Sequence, residues 1–239
     1  MSKTAVCISG YFNSQKDLTS KGVDGYKHLE KHVFSKVDTD VYIHSWDLEN
    51  KQQILDLYGD RLKGCLFEPQ ADFEPISTLP KPEGRVPQSV LFSQFYSLQR
   101  SFELLNLSNE QYDSVIKTRF DVGRINRNTS GPHNPSNPYP VQCINFNPDF
   151  DMSKFYMANW QYLETEGPAD MWFYSNQENM MHFTDIFNLL YTDMVSGSEM
   201  EKWAGPNDGG VVNGIKSYKW FLIQKGLWNN KITLDTIWE

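Results

Sequence analysis

The sequence predicts an α/β fold, a mostly parallel central sheet flanked by helices. Short apolar runs alternate with helical stretches along most of the chain, the pattern of strands joined by crossover helices. Ten of the twelve prolines fall in two windows, Pro69 to Pro87 and Pro132 to Pro148, which become loops and leave the rest free for regular structure. The 239 residues are 39% apolar and 14% aromatic, enough to fill one sizeable core, and they read as a single domain over 1–239.

The first strand is Ala5-Val6-Cys7-Ile8 and the second is Asp40-Val41-Tyr42-Ile43-His44, with a polar helical stretch around Tyr26 to Val33 between them. Continuous runs this short suit strands covered on both faces. A helix from about Asn50 to Tyr58 and a strand at Cys65-Leu66-Phe67 continue the alternation, and a Pro-rich loop follows near 69–88. Leu91, Phe95, Leu98, Phe102 and Leu105 then recur at spacings of 4, 3, 4 and 3, which puts all five on one helix face and calls for a sheet beneath it. Tyr112 to Thr118 returns as a strand, and a second Pro-rich loop occupies 126–148. Met171-Trp172-Phe173-Tyr174 is a further strand and Asn179 to Met194 a helix. Val211, Ile215, Tyr218 and Leu222 mark the last helix face, with Asn207 or Asp208 as its cap and Gly226 at its end. No internal repeat is present.

A net charge of −8 lacks the basic stripe that neutralises a phosphate backbone, which argues against nucleic acid or an anionic membrane surface as partner. Cys7, Cys65 and Cys143 are odd in number and have no CxxC spacing, so they are expected to be reduced, buried packing residues. The first apolar run is too short for a signal-peptide core, and no run of 18 apolar residues exists. A cytoplasmic location follows as the expectation, with the sequons at Asn106 and Asn128 unused.

In open α/β sheets the ligand lies beyond the carboxyl ends of the strands, so residues just past each strand carry the functional information. Ser9-Gly10 follows the first strand, where glycine either lets the backbone approach a ligand or makes a plain turn. His44-Ser45-Trp46-Asp47 follows the second, offering a ring to stack and a carboxylate, or a packed Trp and a helix cap. Lys117-Thr118-Arg119-Phe120-Asp121-Val122-Gly123-Arg124 follows the fourth. Residues i and i+2 of a strand share a face, so Arg119 and Asp121 point together. A strand-end carboxylate amid Lys117, Arg119, Arg124 and Arg127 suits a metal-bound diphosphate, and it equally suits an Arg119 to Asp121 ion pair. Asp170 stands just before its strand as a possible second carboxylate or a turn residue. His28 and His32, four apart on a helix, lack an evident third ligand. No Gly-x-x-x-x-Gly-Lys loop, Gly-x-Ser-x-Gly elbow or Gly-x-Gly-x-x-Gly is present, so kinase, hydrolase and dehydrogenase readings have no motif to rest on.

Taken in order, the first strand with Ser9-Gly10, the run Asp40 to Asp47, the run Tyr112 to Asp121 and the run Ala169 to Ser175 resemble a family of GT-A-type glycosyltransferase-like proteins from bacteria and large viruses. The resemblance implies a Rossmann-like GT-A fold that binds a nucleotide-diphosphate sugar, with Arg-x-Asp standing where GT-A enzymes carry the metal-binding Asp-x-Asp. It implies that Asp121 is the ligand of a divalent cation, Mn or Mg, that Gly10 lies against the nucleotide, and that Asp170 begins the strand lining the sugar or acceptor side. Two departures are Gly10-Tyr11-Phe12-Asn13 where many relatives have Gly-Gln-x-Arg, and Arg119 in place of the first carboxylate. The expected function is transfer of a sugar from a nucleotide donor to a hydroxyl acceptor in glycan synthesis. Ser9, Gly10, Trp46, Asp47, Lys117, Arg119 and Arg124 would surround the donor, and Asp170 and Asp208 are candidate catalytic bases. The alternative is a non-catalytic carbohydrate-binding or interaction protein on the same fold.

Overall fold

The computed structural model describes residues 2–13, 21–81, 83, 86–123, 125–126, 139–140, 143–159, 167–168, 170–206 and 210–235. The chain runs β1 (Lys3–Gly10), α1 (Lys21–Leu29, continued by a π-helical turn at Glu30–Phe34), β2 (Asp38–Ser45), α2 (Lys51–Tyr58), β3 (Leu62–Phe67) and α3 (Gln88–Ser108). It continues through β4 (Ser114–Arg119), β5 (Ile125–Asn126), β6 (Tyr139–Pro140), β7 (Phe155–Ala158), β8 (Phe173–Ser175), α4 (Gln177–Met180), α5 (Ile186–Asp193), α6 (Glu199–Ala204), α7 (Gly214–Gln224) and β9 (Lys231–Leu234). Seven strands form one sheet in the order β3-β2-β1-β4-β8-β7-β9, while β5 and β6 pair separately.

The expected mixed α/β architecture is present, with helices on both faces. Neighbouring strands from β3 through β4 are parallel, and β7 and β9 are parallel. Within the seven-stranded sheet, β8 alone of the described strands runs against both neighbours, antiparallel to β4 and to β7. Alternation along β1 shows how the two cores are built: Ala5 and Cys7 enter the layer under α3, α5 and α7, whereas Val6 and Ile8 enter the layer under α1 and α2. Both layers are apolar, which is why β1 and β2 read as unbroken apolar runs. On α3, Leu91, Phe95, Leu98, Phe102 and Leu105 are all buried, as their spacing predicts.

Several elements depart from expectation for identifiable reasons. The helix expected from Asn179 to Met194 is split into α4, a 3-10 turn at Met181–Asp185, and α5. Met180, Phe183 and Ile186, spaced three apart, are all fully buried, and that period fits three residues per turn better than 3.6. α7 is capped by Asn213, whose side chain accepts from the Ile215 and Lys216 amides, in place of Asn207 or Asp208, so Val211 precedes the helix. Gly226 ends it as expected, at φ +72 with its amide bonded to the Ile223 carbonyl. β7 and β9 carried no expectation, being four residues each. Cys65 is exposed, contrary to the expectation of three buried thiols, because β3 is the sheet edge and its burial alternates. Cys7 and Cys143 are buried, and none of the three is in a disulfide. Among the described residues, no helix is long and apolar enough to cross a membrane.

Candidate functional site

The strand order changes direction of travel between β1 and β4, and a ligand crevice forms beyond the carboxyl ends of strands at such a switch point. A pocket of about 720 Å3 lies there, walled by the ends of β1 and β4 and by the first halves of α3 and α7. Its volume falls in the range of about 300–1,000 Å3 usual for small-molecule sites. Ser9, Gly10, Trp46, Lys117, Arg119, Asp121 and Asp170 all line it, so the structure gathers seven of the ten residues singled out by sequence.

The β1 wall presents bare backbone. Gly10 adopts φ +106, and a Cβ built on it would meet no atom within 4 Å, so the turn is open toward the cavity and closed to side chains by conformation. Its amide donates to Ser97 Oγ at 3.0 Å, and its carbonyl accepts from Ser45 Oγ at 2.9 Å. Behind it, Ser97 Oγ lies 2.7 Å from His44 Nδ1, and His44 Nε2 lies 2.9 Å from the Glu68 carboxylate. Burial lowers the His44 pKa against the opposing pull of Glu68, which leaves the ring neutral at neutral pH. A carboxylate can only accept, so Nε2 carries the proton and Nδ1 accepts from the Ser97 hydroxyl. Trp46 stacks on Tyr96 with ring centroids 5.5 Å apart.

The floor is a charged cluster. Arg119 Nε and one terminal nitrogen each donate to Asp121 at 3.0 Å, and the other terminal nitrogen donates to Asp170 Oδ2 at 2.9 Å. Gln94 donates to the same Asp170 oxygen and, at 3.2 Å, to the Tyr218 hydroxyl. Lys117 Nζ donates to the Asp170 carbonyl and stands 5.0 and 5.1 Å from the Phe173 and Tyr218 ring centroids. Burial pushes the Lys117 ammonium down to about 7, with Asp170 pulling the other way. Burial opposes the Arg119 charge, but Asp121 and Asp170 outweigh it and raise its pKa. Burial would raise the Asp170 carboxyl; the Arg119 and Lys117 charges and the bonds from Arg119 and Gln94 hold it below the usual carboxylate range.

The reversal of β8 explains how Asp170 reaches this place. In a parallel strand, a residue before the strand would sit at the far end of the sheet; because β8 opposes β4, its entry lies beside the exit of β4. Phe120 and Val122 turn into the opposite core layer, as alternation past the strand end requires.

Other expected residues lie elsewhere. Asp47 does not line the pocket: its carboxylate accepts from the Asn13 amide at 3.1 Å and from the Asn50 amide and side chain, tying the β1 and β2 exits together. Arg124 and Asp208 lie outside the described residues, as do Arg127 and the greater part of 126–148. His28 and His32 are buried with ring centroids 4.4 Å apart, and His28 Nε2 accepts from the Ile144 amide at 2.9 Å, which uses the lone pair a metal would need. Gln94 and Ser97 carried no expectation, and Tyr218 was expected only on the apolar face of the last helix. The signal for Ser97 was the row Ser93, Ser97 and Ser101, polar residues four apart on a helix whose neighbouring positions are core, and all three are buried.

Among the described residues, the side chains around Asp121 are not arranged as ligands of a divalent cation. Such an ion takes about six oxygen ligands at roughly 2.0–2.6 Å. Both oxygens of Asp121 accept from Arg119, and no three His, Cys, Asp or Glu side chains gather as ligands among the described residues.

No protein-family profile matches the chain, and no curated protein does.

Proposed function

We propose that the protein is a GT-A-type glycosyltransferase that moves a sugar from a nucleotide-diphosphate donor to a hydroxyl acceptor. The observation that carries this reading is the meeting, in one pocket at the sheet's switch point, of side-chain-free backbone at Gly10 with the basic side chains of Lys117 and Arg119. The resemblance of the Gly10, Trp46, Asp121 and Asp170 segments supports it. Bare backbone admits the flat or extended parts of a nucleotide, Trp46 and Tyr11 supply ring surface, and the Arg119 guanidinium answers the diphosphate.

In this reading the bond from the anomeric carbon to the diphosphate oxygen breaks as the sugar becomes oxocarbenium-like, and negative charge grows on the departing phosphate. Arg119 is already oriented by two carboxylates, so it stabilises that charge with little reorganisation at the moment of reaction. Asp170, held ionised, is a weak proton acceptor, so its work is to aim Arg119 and Gln94; the acceptor's proton leaves to another group or to water.

The test is incubation with a panel of uridine, guanosine and cytidine nucleotide sugars together with simple saccharide acceptors, following release of free nucleotide. Sustained release from one donor supports the reading. Binding of free glycans with no nucleotide sugar bound or consumed supports a carbohydrate-binding protein on this fold instead.

A further inference from the structure

We infer that Arg119 is the group that holds the donor's diphosphate, and that donor binding needs no divalent cation. This rests on the glycosyltransferase reading and goes beyond it by naming the charge at the site. The donor set motivates the inference: the strand-end carboxylate expected to ligate a metal is instead the partner of a guanidinium, through both of its oxygens. A dication entering between them would have to displace Arg119 and then sit beside its charge.

The guanidinium has five N–H donors in one plane, of which three are used, by Asp121 twice and by Asp170 once. One N–H on each terminal nitrogen is left, and the side chain is 37% exposed where it lines the pocket. A donor on each of two terminal nitrogens can meet two oxygens of a phosphate, a spread that the single ammonium of lysine does not offer. The two carboxylates hold the plane of the fork, and they come from the exit of β4 and the entry to β8. The arrangement holds guanidinium donors where phosphate will lie, with Asp121 and Asp170 offsetting the charge until phosphate competes for it.

The two possibilities make opposite demands on Asp121. If Asp121 ligates a metal, Asp121→Asn removes the ligand and weakens nucleotide binding. If Arg119 binds phosphate directly, Asp121 competes for the guanidinium, and Asp121→Asn, which keeps the shape and removes the negative charge, leaves binding as tight or tighter.

The experiment is calorimetric titration of uridine, guanosine, adenosine and cytidine diphosphates into the whole protein, in EDTA and separately in manganese chloride. Wild type, Asp121→Asn and Arg119→Lys are compared, each first confirmed as folded by circular dichroism. The expected result is one diphosphate binding within about twofold under both conditions, undiminished in Asp121→Asn and about tenfold weaker or worse in Arg119→Lys. Binding in manganese but not in EDTA, or loss of binding in Asp121→Asn, overturns the inference and leaves the glycosyltransferase reading standing. Metal-free binding with wild-type strength in Arg119→Lys overturns the bidentate role. No binding of any diphosphate under either condition overturns the glycosyltransferase reading and the inference together.

Discussion

Replacing Lys117 by methionine should make the protein more stable, with a gain that depends on pH. The Lys117 side chain is almost fully buried, one bond from its ammonium goes to the Asp170 carbonyl, and aromatic rings lie on two sides. Burial lowers its pKa from 10.5 to about 7. At about 1.4 kcal/mol per tenfold in proton affinity, that difference is of order 5 kcal/mol at and below neutral pH. Between about pH 7 and 10.5 the unfolded chain holds a proton that the native protein does not, so wild-type stability from this group rises with pH across that window and is flat below it. Methionine is unbranched and of similar length, so it fills the space and removes the titration, but it leaves the Asp170 carbonyl without this donor at a cost of about 1–3 kcal/mol. The net expectation is a gain of roughly 2–4 kcal/mol near pH 6 to 7, shrinking toward about pH 10. Urea unfolding of both proteins by circular dichroism, at several pH values across that range, measures it, because groups common to both cancel in the difference. A variant less stable at every pH, or a difference that does not change with pH, would refute the reasoning and show that the surroundings fully compensate the Lys117 charge.

Ser97→Ala deprives the Gly10 amide and His44 of their shared partner and should cost about 1–3 kcal/mol in urea unfolding; no loss would mean that the relay is not a structural support. Gly10→Ala meets no steric neighbour, so its cost, about 1–3 kcal/mol, should come from backbone strain alone at φ +106, and a neutral result by the same assay would show that the turn relaxes. With an aromatic disulfide reagent, the native protein should release one thiol equivalent, from Cys65, and the other two only after unfolding, since Cys7 and Cys143 are buried; rapid release of all three would contradict the packing. Asn213→Ala should lower stability by about 1 kcal/mol through loss of the α7 cap, read from the urea midpoint.

Periodic burial was legible in the sequence, while features that depend on distant partners were not. The α3 stripe from Leu91 to Leu105 and the doubly buried β1 and β2 follow from side-chain spacing, which any sheet beneath them would satisfy. β7 and β9 were invisible because four residues carry too little period, and their ladders come from distant segments, β7 pairing with β8 and β9 and β9 pairing with β7. The floor of the pocket was half visible. Arg119 and Asp121 share a face through local geometry, but that both are committed to each other, and that Asp170 and Gln94 complete the cluster, depends on segments brought together by the sheet. Ser97 looked like an ordinary helix residue because its meaning lies in His44 and Gly10, far from it in sequence.

The β4–β8 ladder has three residue pairs, Val115 with Ser175, Ile116 with Tyr174 and Lys117 with Phe173. A slip by one residue would turn the buried side chains of β8 to the wrong layers and is excluded by burial. A slip by two keeps every side chain on its own face, and hydrophobic alternation barely opposes it, yet it would carry Asp170 about 7 Å along the sheet. Arg119 and Lys117 would then lose their hold on Asp170 together. The charged floor is thus a pin that tells a short reversed strand which of two equally greasy alignments to adopt, and the same contacts that set charge in the pocket settle where half of the sheet begins.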